Sequence, residues 1–331
     1  MTAGRDITIK SGECGRRKNM AKYVFGVDVG GTTVKMGLFT VEGELLDKWE
    51  IKTRTEDGGK NVLPDIADSI KEVIESKKLA KEDVEGVGIG VPGPVKEDGT
   101  VLKCVNLGWG TFNVEEKLSE MFRGIKVKAG NDANVAALGE AWQGGGKDYD
   151  DIVMITLGTG VGGGVIIGNN ILTGYNGGAG EIGHFHMNDE ETDVCGCGKK
   201  GCLEQYASAT GVVRLAKRYM ADNDDTKMKE FGDNITAKDV FDLAKEGDQG
   251  ANVVVKQMGT YLGRAMGFIA ATVNPQAFII GGGVSKAGQF LIDAITDTYR
   301  NVSFKACSEA AVCLAELGND AGMYGAAALV K

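Results

Sequence analysis

The sequence is short of long hydrophobic runs and of proline, and each shortage excludes a class of protein. The longest apolar stretches, residues 265–273 and 310–315, fall far below the roughly 20 residues that a bilayer-spanning helix needs. Four prolines without a Gly-X-Y repeat exclude collagen and proline-rich linkers. Residues 1–20 are basic and polar, and they lack the apolar segment of a secretion signal. We therefore expect a cytoplasmic protein with no membrane partner.

Basic residues are outnumbered, since Lys and Arg total 37 against 46 for Asp and Glu, which gives a formal net charge of −9. An acidic chain repels phosphate backbones, so we expect no nucleic-acid partner. Seven cysteines without regular pairing do not resemble a disulfide framework. Glycine is in excess, because 51 of 331 residues is about twice its usual share. The surplus predicts tight turns and places where the backbone approaches a ligand.

The order of apolar segments is repeated, and a length of 331 residues favours two domains. The first half predicts a hairpin of two strands around a glycine turn, then helices and single strands, at 23–29, 34–39, 63–74, 87–91, 125–129 and 133–142. The second half predicts a hairpin whose glycine turn is 158–164, followed by a long helix and a buried strand, at 152–157, 165–167, 251–271 and 277–280. The repetition indicates two related α/β domains, each with a glycine loop at a shared cleft.

The first glycine loop is predicted to hold phosphate. Asp28 ends a buried strand, where a charge needs water or a metal ion. The residues after it offer backbone N–H groups and hydroxyls to an anion, with Lys35 as a further nucleotide contact: Gly30, Gly31, Thr32 and Thr33. Asp28 would then face the Mg²⁺ of a nucleotide through water. The alternative is a tight hairpin in which Asp28 only caps the turn.

The second loop contains Gly158, Thr159 and Gly160, and together with Gly163 it matches G-x-G-x-x-G. A dinucleotide site requires that motif to open a helix, whereas residues 165–167 have strand character, so we reject it. A third loop, with Gly282 and Gly283, could lie under an adenosine or be a plain strand-to-helix turn. Two phosphate-type hairpins resemble the superfamily of actin, Hsp70 and the sugar kinases, whose fold is α/β, two-domain and ribonuclease H-like, with the nucleotide in an interdomain cleft.

A cysteine cluster predicts a structural metal. Cys195, Cys197 and Cys202 follow C-x-C-x4-C, and three thiolates need one further ligand for tetrahedral Zn²⁺. The chain has two histidines, His184 and His186, and both precede the cluster closely. Three cysteines and one histidine form a closed coordination set, so the ion would fix the loop rather than take part in chemistry. The alternative is a group of reduced surface thiols.

These motifs together resemble the ROK family (repressors, open reading frames and sugar kinases). The cysteine motif, preceded by Glu-Ile-Gly-His at 181–184 and followed by Leu-Glu, looks like that family's signature. The further matches, in the family's order, are Asp28-x-Gly-Gly-Thr32, Gly90-Val-Pro-Gly-Pro94, Gly130-Asn-Asp-Ala-Asn134 and Leu157-Gly-Thr-Gly160. Asn106-Leu-Gly-Trp109 and residues 202–208 further resemble the glucokinases of Gram-positive bacteria.

The resemblance implies an ATP- and Mg²⁺-dependent kinase that converts glucose to glucose 6-phosphate. Asp132 would be the general base, although its residue type also suits a helix N-cap. His184 would bind zinc with one ring nitrogen and face the sugar with the other, and its motif position favours it over His186 as the ligand. The remaining sugar contacts would come from Gly93, Asn106, Asn131, Glu181 and Glu204. A homodimer or homotetramer is implied by the same analogy.

The resemblance also implies a division of the chain. Residues 1–21 would be a disordered leader, with Met20 as a possible true start. Residues 22–128 with 319–331 would form a small α/β domain. Residues 129–318 would form a large one, which carries the zinc-binding loop 184–202.

Several other functions remain open from the sequence. Kinases of fructose, N-acetylmannosamine or allose, and a polyphosphate-using glucokinase, share the same chemistry. A sugar-responsive transcription repressor would need a DNA-binding domain, yet only about 21 residues precede the first strand. An actin-like filament or chaperone ATPase would not require the cysteine cluster or the paired Glu residues.

Overall fold

The structure is a computed structural model that describes residues 22–331. The predicted leader, residues 1–21, lies outside the described residues. The strands are β1 (Tyr23–Val29), β2 (Thr33–Thr40), β3 (Leu45–Lys52), β4 (Val84–Val91), β5 (Thr100–Val101), β6 (Phe112–Asn113), β7 (Lys126–Asn131), β8 (Ile152–Leu157), β9 (Val161–Ile167), β10 (Asn170–Ile171), β11 (Ala277–Gly281) and β12 (Ala311–Leu314). The helices are α1 (Glu56–Gly59), α2 (Val62–Ser76), α3 (Val114–Met121), α4 (Asp132–Gln143), α5 (Glu204–Ala207), α6 (Ala209–Asp222), α7 (Ala237–Lys245), α8 (Gln249–Val273), α9 (Gln289–Val302) and α10 (Ala321–Ala328).

Two five-stranded sheets share one plan. The first has the order β3-β2-β1-β4-β7 and the second has the order β10-β9-β8-β11-β12. In each sheet the central hairpin is antiparallel and the two later strands are parallel to it. We call the two halves built on these sheets the first lobe and the second lobe. The predicted two-domain α/β fold is confirmed.

Each sheet is covered by amphipathic helices whose apolar faces form its core. In the first lobe, Ile66 and Ile70 of α2 are completely buried against strand residues such as Phe25. In the second lobe, α8 buries Val254, Met258 and Leu262, with other apolar residues, against β8 and β11. The recurrence of these residues at helical spacing explains why the helices predicted at 63–74 and 251–271 are present.

Two helices, α4 and α10, are exchanged between the lobes: each follows a strand of one sheet and packs into a core with strands of the other sheet. The chain leaves β7 of the first sheet into α4, whose residues Ala137 and Leu138 join a core with β8 and β9 of the second sheet. It leaves β12 of the second sheet into α10, whose residues Met323 and Ala327 join a core with β1 and β2 of the first sheet. The two helices also touch each other, because a Cβ atom on Gly325 would lie only 1.6 Å from a backbone oxygen of α4.

The structure corrects two details of the sequence analysis. Strand β3 was not predicted, although its side chains alternate between half-buried and exposed, as expected for an edge strand. Residues 161–164 are part of β9 rather than of the glycine turn, and Gly164 stands in the strand because α4 lies so close that a Cβ there would approach the Cβ of Ala137 to 2.5 Å. Strand β7 runs to Asn131 within the first sheet, and the division expected at 128 and 129 stays a prediction.

Candidate active site and metal centre

A cleft of about 800 Å³ lies where the carboxyl ends of the central strands of both sheets meet. Ligands of open α/β sheets bind at this edge. The cleft brings together five of the predicted site residues, and it collects them from both lobes: Asp28, Lys35, Asp132, Gly282 and Gly283. The predicted shared cleft is therefore present.

Asp28 and Lys35 face each other across the β1–β2 hairpin, where they are register partners. Burial and, to a smaller extent, the nearby charge of Asp132 raise the pKa of Asp28 to about 6, and Lys35 opposes the shift. Lys35 is held from the other side, because its ammonium group donates a 2.9 Å hydrogen bond to the carbonyl oxygen of Asn319. The carboxylate and the ammonium group thus stand together at the wall of the cleft.

Asp132 is the first residue of α4, but Asn131 is the residue that caps this helix. The Asn131 side-chain oxygen accepts hydrogen bonds from the backbone N–H groups of Ala133 and Asn134 at 3.0 and 3.2 Å. Its amide group donates to the Asp132 carboxylate at 3.0 Å and to the carbonyl oxygen of Gly93 at 3.1 Å. Asp132 is therefore oriented by Asn131 and does not cap the helix alone, which corrects the expected N-cap role.

Burial also raises the pKa of Asp132, and the negative charge of Glu181 adds to that rise. Hydrogen bonds from Ala133 N–H and Asn131 act in the opposite direction because they favour the carboxylate. A carboxylate in such surroundings is a stronger proton acceptor than an exposed one. The position and environment of Asp132 suit it for general-base work.

Three predicted sugar ligands stand together beside the cysteine cluster. The imidazole Nε2 of His184 is 4.0 Å from a carboxylate oxygen of Glu181, and the Glu204 carboxylate accepts a 3.0 Å hydrogen bond from the Cys195 thiol. Glu181 and His184 are exposed and Glu204 is half-buried, so their polar atoms are available to a ligand. Asn106 is exposed in the short turn between β5 and β6.

The four predicted metal ligands converge. One ligand atom from each of His184, Cys195, Cys197 and Cys202 lies within 4.8 Å of the other three. The Sγ atoms of Cys197 and Cys202 are 3.6 Å apart, close to the roughly 3.8 Å that two thiolates take up on tetrahedral zinc with Zn–S bonds near 2.3 Å. Three sulfur atoms and one imidazole nitrogen fit Zn²⁺.

The two histidines differ in the partners that they face. The Nδ1 atom of His184 faces the Cys195 sulfur at 3.9 Å, which leaves Nε2 directed to Glu181. Both ring nitrogens of His186 have other partners, Lys200 O at 2.9 Å and the Asp189 carboxylate at 2.8 Å. Within residues 22–331, His184 is therefore the histidine that completes the cluster.

The two hairpin turns lie outside the lining of the main cleft. The turn with Gly30, Gly31, Thr32 and Thr33 is tied to the end of β3 by a 2.7 Å bond from Thr53 to Gly30 O. The turn with Gly158, Thr159 and Gly160 instead lies against Glu204, since a Cβ on Gly160 would lie 2.5 Å from its carboxylate oxygen. The turns flank the site rather than line its wall.

The cleft also contains residues that the sequence analysis did not select. They include Thr156, Gly162, Ser285, Lys286, Gly318, Asn319 and Gly322. Ser285 and Lys286 lie two and three residues after the third glycine loop, and that proximity was the available signal. The residues of the 318–322 segment had no motif, because they reach the cleft only through the placement of α10.

A second cavity of about 330 Å³ adjoins the glycine loop after β11. Ala209, Phe241, Val284 and Ala287 give it apolar walls, and Gly283 and Lys286 are shared with the main cleft. Its size and walls suit a flat heterocycle.

The fold is that of the actin, Hsp70 and hexokinase superfamily. The chain belongs to the ROK family, whose model matches residues 24–331. A glucokinase of Halalkalibacterium halodurans is 43% identical, over 94% of this chain and 95% of the relative. A ROK glucokinase of Streptomyces griseus solved with glucose and AMPPNP aligns with a TM-score of 0.68 at 35% identity, covering 93% and 99% of the two chains. A ROK hexokinase of Thermus thermophilus gives a TM-score of 0.77 at 29% identity, covering 93% and 97%.

Among residues 22–331, every helix is too short or too polar to cross a bilayer.

Proposed function

We propose that this protein is a glucokinase, which transfers the γ-phosphoryl group of ATP to the 6-hydroxyl of glucose. The observation that carries the proposal is the position of Asp132, between a cleft that suits a nucleotide and a cluster of sugar-binding side chains. The relative with 43% identity over nearly all of both chains is named a glucokinase, and the Streptomyces griseus structure contains glucose with an ATP analogue. These relatives support the sequence-based prediction that the protein is an enzyme and that it phosphorylates glucose with ATP.

Asp132 acts as the general base. It accepts the proton of the attacking sugar hydroxyl while Asn131 holds its carboxylate in place. The acceptor sugar is oriented by Glu181, His184 and Glu204, whose oxygens and free imidazole nitrogen match the donors and acceptors of a polyhydroxyl ligand. Gly93 and Asn106 complete the sugar side, the former through its contact with Asn131.

The nucleotide lies along the main cleft, with its base in the apolar cavity beside Gly283. Lys35 and Lys286 face the phosphates, and Gly282 and Gly283 let them approach the backbone closely. Asp28 would hold Mg²⁺ through water, and the ion would neutralise charge on the phosphates. The flanking turns, with Gly30, Gly31, Thr32 and Thr33 on one side and Gly158, Thr159 and Gly160 on the other, close over the nucleotide when the lobes approach.

Zinc has a structural role in this proposal. The ion would join the Cys195–Cys202 loop to His184 and so fix the wall that carries Glu181 and Glu204. Because Nδ1 of His184 faces the sulfur atoms, Nε2 stays free for a sugar hydroxyl. The homodimer or homotetramer and the division into 22–128 with 319–331 and 129–318 remain predictions, open to light scattering and limited proteolysis.

The test is a coupled assay of ADP release with purified protein and a panel of hexoses. We expect turnover with glucose and ATP, and an Asp132→Asn variant that folds with a melting temperature no lower than that of the wild type but loses about 10²- to 10⁴-fold in kcat, the usual contribution of a general base. Near-normal turnover of that variant would disprove the assigned base. A preference for fructose, N-acetylmannosamine, allose or polyphosphate would redirect the assignment within the family.

A further inference from the structure

Glu140 is a completely buried carboxylate that the proposed mechanism does not use. It lies in the last turn of α4, on the same helix as Asp132. A buried charge is costly unless it is paired or fully hydrogen-bonded. The buried Glu191 of the second lobe is paired with Arg218 at 2.7 Å, whereas the partners of Glu140 are backbone N–H groups.

Three such groups donate to the Glu140 carboxylate. Gly145 N–H and Glu316 N–H donate to one oxygen at 2.8 and 3.0 Å, and Leu317 N–H donates to the other at 2.8 Å. Three charge-assisted bonds satisfy the group in the absence of a cation. Gln in its place would keep one acceptor oxygen and turn an NH₂ group towards an N–H donor.

These donors lie at the two places where the chain passes between lobes. Gly145 belongs to the connection from α4 to β8, and Glu316 and Leu317 belong to the connection from β12 to α10. The Glu140 side chain therefore accepts hydrogen bonds from both connections between the lobes. The two helices that meet there are already in backbone contact, since a Cβ on Gly139 would lie 2.2 Å from Ala321 O.

The segment that follows Leu317 forms a wall of the cleft. Gly318, Asn319 and Gly322 line it, and Asn319 O accepts the hydrogen bond from Lys35. Gly322 lies directly against Asp28, because a Cβ there would be 2.6 Å from the carboxyl carbon. Residues 318–322 thus contact the side chains of both Asp28 and Lys35.

We infer that Glu140 is a positioning residue for the phosphate side of the nucleotide site. By holding the N–H groups of Glu316 and Leu317, it fixes residues 318–322 against Asp28 and Lys35. The inference rests on the proposed function, because it takes the cleft to be the nucleotide site. It assigns Glu140 no contact with the sugar.

The test compares Glu140→Gln with Glu316→Gln as the matched control. Glu316 has an exposed side chain in the same segment, and its substitution leaves the backbone N–H in place. We expect Glu140→Gln to weaken binding of a non-hydrolysable ATP analogue, measured by calorimetry, by tenfold or more, with the Kd for glucose changed less than twofold. Hydrogen exchange at the amides of 316–322 should accelerate in this variant only.

Leu317→Pro provides a second route if Glu140→Gln does not fold. The φ of Leu317 is −78°, which proline tolerates, so the substitution removes one donor and leaves the carboxylate intact. The expected result is the same selective loss of nucleotide affinity. Unchanged nucleotide affinity in a folded variant, or equal losses for nucleotide and glucose, would overturn the inference. Binding is measured without turnover, so a wild-type protein that binds the analogue yet leaves glucose unphosphorylated would reject the glucokinase and not the role of Glu140.

Discussion

The two lobes have the same strand order but present different chemistry to the cleft. Asp28 is the penultimate residue of β1, and Thr156 is the penultimate residue of β8. Their hairpin partners are Lys35 in the first lobe and Gly162 in the second, and all four residues line the cleft. The same strand arrangement therefore supplies a charged pair to the cleft from the first lobe and a small neutral surface from the second.

The exchanged helices differ in the same way. Helix α4 begins with Asp132 and is capped by the Asn131 side chain, whereas α10 begins without a side-chain cap and places Gly322 beside Asp28. The duplicated framework fixes where helix ends and strand ends meet. The residues that differ between the two lobes decide which chemical groups meet there: a capped helix that begins with a carboxylate on one side, and a glycine packed against Asp28 on the other.

The largest expected difference is in kcat/KM for ATP between variants of Asp28 and Thr156, the matched penultimate residues of β1 and β8. Asp28→Asn should lower kcat/KM for ATP by about 10²- to 10³-fold, because the cleft loses a preorganised charge at the phosphates. Thr156→Val, at the corresponding place in the second sheet, should cost less than tenfold. Steady-state kinetics with varied ATP tests the contrast. Equal losses in the two variants would show that the lobes are functionally equivalent here.

The same position predicts a dependence of stability on pH. The folded pKa of Asp28, about 6, lies above its ordinary value of 3.8, so the stability linked to this group is full below pH 4 and is lost as the pH rises through 6. The loss at pH 7.5 is at most about 3 kcal/mol. Asp28→Asn should therefore melt higher than the nucleotide-free wild type at pH 7.5 and equally at pH 4. A difference in melting temperature that does not vary with pH would contradict this, and Thr156→Val is the control.

The contact between the exchanged helices can be broken sterically. Gly325→Ala would place a methyl group against the carbonyl oxygen of Val135, and overpacking of this kind costs about 1–3 kcal/mol. Gly110→Ala is the control, because nothing lies within 4 Å of its added Cβ. Urea denaturation should separate the two variants. A Gly325→Ala protein as stable as the control would mean that the lobes tolerate a wider helix spacing.

The smallest effect that we expect follows from removing zinc, whose ligand cluster occurs in the second lobe alone among the described residues. Chelation, or Cys197→Ser, should raise KM for glucose roughly tenfold, in the range seen when the support of a metal site is lost. The Kd for nucleotide should not change. Cys307→Ser, outside the cluster, is the matched control. A parallel loss of nucleotide affinity would indicate that the ion supports both sides of the cleft.

The sequence motifs predicted the residues of the metal cluster better than the hydrophobic periodicity predicted the strands. The C-x-C-x4-C spacing and the preceding His184 identified a cluster that the fold assembles as expected. The alternation of Leu45, Trp49 and Ile51 was visible in the sequence, yet the polar and charged residues between them break up the apolar run that marks a buried strand. Gly164 suggested a turn, and only the approach of α4 explains a glycine inside a strand.

Other features had no local signal at all. Glu140 is indistinguishable from a surface glutamate in the sequence, because two of its three donors come from a connection far along the chain. Asn319 and Gly322 enter the cleft for the same reason. Positions that depend on contacts between distant segments cannot be inferred from spacing, whereas metal ligands and glycine turns carry their chemistry locally.

The exchange of α4 and α10 sets an order for synthesis of the chain. The face of the first sheet that holds Val24 and Phe39 is covered by α10, whose residues leave the ribosome long after β1 and β2. That apolar face must wait uncovered during translation of the whole second lobe, a period in which exposed hydrophobic surface invites aggregation. A truncated product that stops before Ala321 would never bury it, so we expect such a product to aggregate more readily than the full chain.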